Sequence, residues 1–361
     1  MEIPEMLEKY MEMGEHEILY RELFRQNPDI YFYTRKGKYS ADWEEFIRYY
    51  AATAPRHVEL PRCAPTLFDH ELTEKDFFGD PDRDVDLVFN SRYCPPFWHS
   101  LSFIKVMYVL NGEFEINLSL NKTIRLTKGS FIISPPNIMQ SVFSCHDDDV
   151  VINIFLKLST FEKTFSSVLM KENDISSWFW QILYGKNESN IILYMNGEVS
   201  FLSSLIMNMI EERGKNQPGN DFLLVGQVMT FLGYAVAYLR EHLFLVSDTR
   251  FGSAMFPEIM QYIQENYSTV TLSGLAEHFG RTESYLSRFI REETGTTFIQ
   301  LLRQYRLRKA AAMLQETSMS IEGVMLNVGY NDISYFYKAF KKLYGMTPKK
   351  YRETKHPFYL K

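Results

Sequence analysis

Cysteine is scarce in this 361-residue chain: Cys63, Cys94 and Cys145 stand far apart, with no C-x-x-C pair among them. That spacing excludes a zinc ribbon and a disulfide framework, and it leads us to expect a reducing, cytoplasmic setting. No run approaches the roughly 18 consecutive apolar residues of a membrane span, so no membrane partner is expected. The amino end, MEIPEMLEKYMEMGEHE, lacks the basic-then-apolar order of a secretory leader. What is present is ordinary for a globular protein, with 45% hydrophobic and 23% charged residues. The length predicts about two domains.

The net charge of -6 conceals two opposite regions. Residues 255–361 carry 15 Lys and Arg against 10 Asp and Glu, whereas the preceding 254 residues carry 24 against 35. An acidic body with a basic tail points to a polyanion partner for the tail alone; a solvated basic face is the plainer alternative.

The tail contains a repeat. TLSGLAEHFGRTESYLSRFIREETGTTF begins at Thr271, and SIEGVMLNVGYNDISYFYKAFKKLYGMTP begins at Ser320. Leu272, Leu275, Phe279 and Gly280 match Ile321, Val324, Val328 and Gly329 at an offset of 49. Beyond the turn the offset is 50, pairing Leu286 with Phe336, Arg288 with Lys338, Ile290 with Phe340 and Gly295 with Gly345. Each copy reads as a short helix, a glycine turn and a longer helix closed by glycine, which is the helix-turn-helix pattern. Between the copies, Thr297 to Glu316 reads as one helix with Phe298, Leu301, Leu302, Tyr305 and Leu314 on an apolar stripe. Twenty residues span roughly 30 Å, comparable with the roughly 34 Å between successive major grooves on one face of DNA. Arg303, Arg306, Arg308 and Lys309 on that helix would either touch phosphates or solvate it.

The segment GYNDISYFYKAFKKLYGMTPKKYR, Gly329 to Arg352, resembles the signature of AraC/XylS-type bacterial transcription regulators. ESYLSRFIREETG, Glu283 to Gly295, resembles the first recognition helix of that family. The resemblance covers about 100 residues and implies sequence-specific binding of promoter DNA. It places base-reading positions at Ser284, Ser287 and Arg288 in the first copy, and at Ser334, Tyr335 and Lys338 in the second. Arg288 leads that set because a guanidinium can bond guanine O6 and N7 together; Tyr335 reads equally well as core. Arg291, Lys341, Lys342, Lys349, Lys350 and Arg352 are the expected phosphate contacts. Met325 departs from the family pattern, standing where the first copy keeps the small Ala276. It predicts tighter packing or a shifted recognition helix in the second copy.

Upstream, FIKVMYVL, NGEFEINLSL, KTIRL, GSFIISPP, QSVFS and DVVINIFLKL read as short strands, with Asn111-Gly112 a hairpin signal. A barrel or sandwich is expected, and it resembles the cupin-type sensor domain often fused to such regulators. The positions of a cupin metal site hold His99, Leu101, Lys105 and Gln140, of which one could ligate, so we expect no metal, no cofactor and no enzymatic activity. The effector-binding candidates are Trp98, His99, Phe103 and Lys105. Read as one strand, His99, Leu101, Phe103 and Lys105 share a face. An inward Lys105 would attract an anion such as a carboxylate or sugar acid; an outward Lys105, or one paired with an internal carboxylate, would do nothing of the kind. Trp98 and Tyr93 would stack on a sugar ring or simply pack.

The remaining expectations are an amphipathic helix over Met1 to Asn27, an exposed acidic loop over Asp69 to Asp86, and helices over Glu198 to Arg213 and Asp221 to His242. The expected fold class is α+β multidomain: a helical extension (1–60), a cupin-like barrel (61–195), helical dimerisation elements (196–246), a linker (247–254) and an all-α double helix-turn-helix domain (255–361). The expected partners are double-stranded promoter DNA, an unidentified small-molecule effector, a second copy of the chain, and RNA polymerase. Two alternatives stay open: a cupin metalloenzyme with a DNA-tethering tail, and a constitutive DNA-binding protein whose barrel is a dimerisation scaffold.

Overall fold

The computed structural model describes residues 3–26, 70–78, 83–119, 122–169, 191–195, 197–215, 219–245 and 255–353, together with Pro28, Phe179, Leu183, Tyr184 and Gln217. The chain divides into two compact units, Met1–Thr164 with Asn187–Arg250, and Phe165–Lys186 with Phe251–Lys361. The expected linker, 247–254, and most of the expected amino-terminal extension lie outside the described residues.

The first unit opens with α1 (Ile3–Met11) and α2 (Glu15–Gln26). The single helix expected over Met1 to Asn27 is therefore two, parted at Gly14, whose backbone N–H is taken by the Glu17 carboxylate at 3.1 Å. Next come β1 (His70–Leu72), α3 (Glu74–Phe77), β2 (Val85–Phe89), β3 (His99–Leu101) and β4 (Ile104–Asn111). A run of short strands follows: β5 (Glu113–Ser119), β6 (Lys122–Thr127), β7 (Phe131–Ser134), β8 (Ser141–Phe143) and β9 (Val150–Leu156). The unit ends with α4 (Leu158–Leu169), β10 (Ile192–Tyr194), α5 (Ser200–Gly214), α6 (Asn220–Tyr238) and β11 (Leu243–Leu245).

The strands form a six-stranded sheet in the order β11-β10-β7-β4-β9-β2, a three-stranded sheet β6-β5-β8, and the pair β1-β3. The two larger sheets are antiparallel throughout. Met107, Val109, Ile132 and Val151 from the large sheet meet Phe114, Ile116, Leu118 and Leu126 from the small one in a single buried cluster. Burial of each such side chain stabilises the fold by about 1.5–3 kcal/mol. The result is a two-sheet sandwich in which β4, β7 and β9 of the large sheet are buried on both faces.

Two sequence expectations need correction. The acidic segment ending at Asp86 is not all exposed loop: Val85 and Asp86 are buried in β2, which pairs along β9. Asp86 is tolerated there because Arg213 donates from Nε to its Oδ1 at 2.6 Å. The expected strand through His99 and Lys105 is also broken, with β3 ending at Leu101 and β4 starting at Ile104. His99 instead bridges to Gln140.

The other face of the small sheet carries α2. Tyr20 and Leu23 pack with Tyr93 and Phe143, and a buried Arg92 donates from Nη2 to Glu17 Oε2 at 2.7 Å and from Nε to Oε1 at 3.0 Å. Burial alone would raise the Glu17 pKa, but the Arg92 hydrogen bonds and charge hold it below the ordinary carboxylate range. Helix α6 is long and apolar enough to cross a membrane by composition, yet Leu224, Val228, Phe231, Leu232 and Ala235 are buried within the unit.

The second unit is helical in all its described elements: α7 (Met255–Asn266), α8 (Leu272–His278), α9 (Glu283–Thr294), α10 (Phe298–Glu316), α11 (Ile321–Asn327), α12 (Ile333–Tyr344) and α13 (Pro348–Glu353). The stripe expected on the connecting helix is buried: Phe298, Leu301, Leu302, Tyr305 and Leu314 all face inward. Thr297 caps α10 through a reciprocal box with Gln300.

Candidate nucleic-acid interface

The two helix-turn-helix copies are built by the same local chemistry. Thr271 and Ser320 cap α8 and α11, accepting from Gly274 N–H at 3.1 Å and Gly323 N–H at 3.0 Å. In the turns, Arg281 N–H donates to the Ala276 carbonyl at 2.9 Å and Tyr330 N–H to the Met325 carbonyl at 3.0 Å. Met325 therefore leaves the turn unchanged, and its longer side chain is absorbed in a core with Val324, Phe336 and Phe340. Of the two outcomes expected for Met325, the geometry favours packing over a displaced helix. The extra residue of the second turn is taken up before Asp332, which caps α12 as Thr282 caps α9.

Residues 281–290 and 331–340 then share one burial pattern, residue for residue. Leu286 and Ile290 in α9, and Phe336 and Phe340 in α12, are fully buried. Ser284, Arg288 and Arg291 are exposed on α9 and Ser287 is half-buried; Ser334, Tyr335 and Lys338 are exposed on α12. Tyr335 thus stands outside the core, 46% exposed, with the Arg303 guanidinium 5.7 Å from its ring centroid. Tyr285 is exposed too: it stacks on Phe289 at 6.2 Å under Arg281. A ring flanked by a partner and a cation keeps an apolar body while facing water.

The expected phosphate contacts separate into two groups. Lys341, Lys342, Lys349 and Lys350 are exposed. Arg352 is not free for that role, because its Nε donates to the Leu314 carbonyl at 3.2 Å and its Nη2 to the Met319 carbonyl at 2.6 Å. It closes the end of α10 instead.

Arg306 is likewise engaged within the protein rather than turned toward a phosphate. It donates to the carbonyls of Tyr267 at 2.6 Å, Ser268 at 3.0 Å and Gly329 at 3.0 Å, and burial lowers its pKa. One side chain of the connecting helix thereby joins the chain just before the first copy to the turn of the second. Sequence spacing showed a cation at 306 but not its three acceptors, which come from segments 23 to 39 residues away.

In the first unit the effector candidates Trp98, His99, Phe103 and Lys105 are all buried. Lys105 lies opposite Ser134 on β7, and on the same face Met107 lies opposite Ile132 on β7 and Asn153 on β9. Because Met107 and Ile132 belong to the core between the sheets, Lys105 faces the sandwich interior. Burial, and then the Lys105 charge, push the His99 pKa down to about 3, so the imidazole is neutral at physiological pH. Ser134 Oγ, Asn153 Oδ1 and Gln140 Oε1 are buried without hydrogen-bond partners. Ser134 and Asn153 were missed from sequence, since only strand register brings them to this face; Gln140 had been placed only against a cupin metal position.

A helix-turn-helix domain family matches residues 275–354. The HTH-type transcriptional regulator YpdC of Escherichia coli is 31% identical over 101 residues, 28% of this chain, and the match spans 35% of YpdC. The HTH-type transcriptional regulator YfiF of Bacillus subtilis is 24% identical over 313 residues, covering 82% of this chain and 90% of YfiF. The HTH-type transcriptional activator AarP of Providencia stuartii is 30% identical over 118 residues, 32% of this chain and 83% of AarP. With its paired, identically capped helix-turn-helix copies and these relatives, the chain belongs to the AraC/XylS-type family of helix-turn-helix transcription regulators.

Proposed function

We propose that the protein is a transcription regulator that binds a bipartite duplex DNA site through α9 and α12 and senses a small molecule in its β-sandwich. The observation that carries the first half is the shared burial pattern of residues 281–290 and 331–340, which leaves the same side-chain positions exposed in both copies. Ser284, Ser287 and Arg288 read one half-site; Ser334, Tyr335 and Lys338 read the other. Arg291, Lys341, Lys342, Lys349 and Lys350 supply sequence-independent affinity from the phosphates. Arg288 and Lys338 occupy equivalent places, so the two half-sites differ in the base each cation selects.

The sensing half rests on the sandwich interior. A lysine there, beside a neutral His99 and the unpartnered polar atoms of Ser134, Gln140 and Asn153, suits a small anionic ligand. A bound carboxylate accepts from Lys105 and Ser134, with Trp98 and Phe103 enclosing its apolar part. Each buried polar atom left without a partner costs about 1–3 kcal/mol, and a ligand that satisfies them recovers that cost. The effector acts by preferring one arrangement of the protein over the other.

A second copy of the chain docks on α6, whose outer face exposes Phe222, Leu223 and Tyr238. On the same helix a Cβ added to Gly226 or Gly233 would meet nothing within 4 Å, so another helix can approach closely. RNA polymerase is the further partner where the outcome is activation.

Selection of random-sequence duplex DNA by the full-length protein tests the DNA half, with two short enriched blocks about one helical turn apart as the expected result. Thermal shift with benzoate, octanoate and galacturonate as probes tests the sensing half. A shift that disappears in Lys105→Met supports it, and an equal shift in that variant contradicts it.

A further inference from the structure

The two helix-turn-helix copies each expose a tyrosine at the same place, and each builds its surroundings from different residues. Tyr285 in α9 and Tyr335 in α12 stand at equivalent positions and are 37% and 46% exposed. Tyr285 is stacked on Phe289 at 6.2 Å, with the Arg281 guanidinium 5.6 Å from its ring centroid. At those two supporting positions the second copy has Ala339 and Asn331, which bring neither ring nor charge. Instead Tyr330, from the turn, lies 6.0 Å from Tyr335, and Arg303, from α10, lies 5.7 Å over it. One aromatic and one guanidinium thus flank an outward ring in both copies.

Neither ring is needed to fill the core, which α9 supplies with Leu286 and Ile290 and α12 with Phe336 and Phe340. Each stands three residues before the cation expected to select a base, Arg288 or Lys338. Ring and cation are therefore neighbours on the helix surface. Three residues rise about 4.5 Å along a helix, against about 3.4 Å for each base step. The ring accordingly reaches a base pair within about two steps of the one the cation meets. In the major groove an apolar side chain finds its specific partner in the C5-methyl group of thymine. A ring already held by two neighbours also loses little rotamer freedom when it binds. The competing use of a tyrosine is a phosphate contact through its hydroxyl, which the phenylalanine variants below separate from a methyl contact.

We propose that Tyr285 and Tyr335 each read a thymine through its methyl group, beside the base selected by Arg288 in one half-site and by Lys338 in the other. Tyr285 thereby joins the reading surface of α9, and Tyr335 has a stated target on α12. The two half-sites differ at the base the cation selects and agree at the thymine, which lies at the same offset in both. Arg281, Phe289, Arg303 and Tyr330 are positioning residues that hold the rings. The proposal rests on the DNA-binding reading above.

The test starts from duplexes enriched out of random sequence by the full-length wild-type protein. In each half-site the thymine within about two base pairs of the cation-selected base is replaced by deoxyuridine, which removes the methyl group and keeps the hydrogen-bonding edge. Each replacement should weaken wild-type binding about fourfold, the worth of one buried methyl group. Tyr285→Ala should be indifferent to the replacement in the half-site that Arg288→Ala blurs, and should still respond to it in the other. Tyr335→Ala should do the reverse. Tyr285→Phe and Tyr335→Phe should keep the preference for thymine, whatever their overall affinity. Enriched half-sites without that thymine, or deoxyuridine bound as tightly as thymine by wild type, overturn the proposal. An undiminished preference in a folded alanine variant also overturns it. Loss of the preference in the phenylalanine variants gives the contact to the hydroxyl, and the methyl reading falls. If an alanine variant fails to fold, wild type and the phenylalanine variants decide. Failure at the deoxyuridine step alone leaves the DNA-binding reading standing, whereas failure of wild type to enrich any sequence contradicts that reading and takes the proposal with it.

Discussion

Arg306 donates from Nη1 to the Gly329 carbonyl at 3.0 Å, so a side chain of the connecting helix holds the turn of the second helix-turn-helix copy. The same guanidinium binds the carbonyls of Tyr267 and Ser268, which precede the first copy. The spacing between the two recognition helices therefore depends on one fork of three donors. Arg306→Ala leaves three carbonyls without their cationic donor and should destabilise the helix-turn-helix unit by about 2–4 kcal/mol. Arg306→Lys cannot reproduce the planar fork and should recover less than half. Urea unfolding measures both, and a loss below about 0.5 kcal/mol for Arg306→Ala would show that the brace is idle.

Gly280 and Gly329 hold equivalent turn positions with φ of 59° and 81°, but their surroundings differ. A Cβ on Gly280 meets nothing within 4 Å, whereas a Cβ on Gly329 runs into the Ser268 carbonyl. Gly280→Ala should cost about 1–2 kcal/mol, the strain of a left-handed backbone. Gly329→Ala adds a backbone clash and breaks the Arg306 brace, so it should cost at least about 2 kcal/mol more. Paired thermal melts check the difference, and equal costs would contradict it.

Base and phosphate contacts separate by their response to sequence and salt. Arg288→Ala should remove about 1–3 kcal/mol of discrimination at one position of one half-site. Lys341→Ala should weaken all sequences alike and flatten the salt slope by about one. Competition binding against single-base variants of a selected site distinguishes them. Unaltered preference in Arg288→Ala would move the reading surface of α9 elsewhere.

His99 makes the stability of the sandwich depend on pH. Its folded pKa of about 3 lies below the unfolded value of 6.5, so between those values the unfolded chain binds the extra proton and stability rises with pH. Acidifying from 6.5 downward should therefore cost up to about 1.4 kcal/mol per pH unit from this group. His99→Gln should show a shallower decline over pH 6.5 to 5 than wild type in parallel urea titrations. Matching profiles would mean that His99 is not held neutral.

Helix α6 offers a separate test of assembly. Phe222→Lys with Tyr238→Lys places two charges on its exposed face, where neither parent side chain is buried in the unit. If the second copy docks on this face, sedimentation velocity should show a dimer for wild type and a monomer for the variant, with no loss of melting temperature in the individual chain. A dimer that persists places the interface elsewhere.

What the sequence displayed and what it hid divide along local and non-local structure. The six strands β4 to β9 were legible because each is a short alternating or continuously apolar run bounded by turn residues, as at Asn111-Gly112. The helix-turn-helix copies were legible because caps, glycines and buried positions recur at fixed offsets. β2 was not, since its acidic flank masks Val85, and Asp86 is made tolerable by Arg213 from 127 residues away. β10 and β11 are three residues each, too short for a period to show. In the site, the family resemblance placed Ser284, Arg288 and Lys338, and the structure leaves all three exposed. Arg306, left open between phosphate and solvent, and Arg352, expected on phosphate, instead donate to carbonyls of the protein, because a basic residue carries no sign of which distant carbonyl will claim it.

The measurement closest to the central claim is selection of random duplex DNA by the full-length protein at a fixed moderate salt concentration. A paired reading surface predicts two short enriched blocks about 10 base pairs apart, one of which loses definition when Arg288→Ala is used in place of wild type. One block alone would contradict a paired reading surface. Absence of enrichment, with and without the carboxylate probes, would contradict sequence-specific DNA binding by this chain.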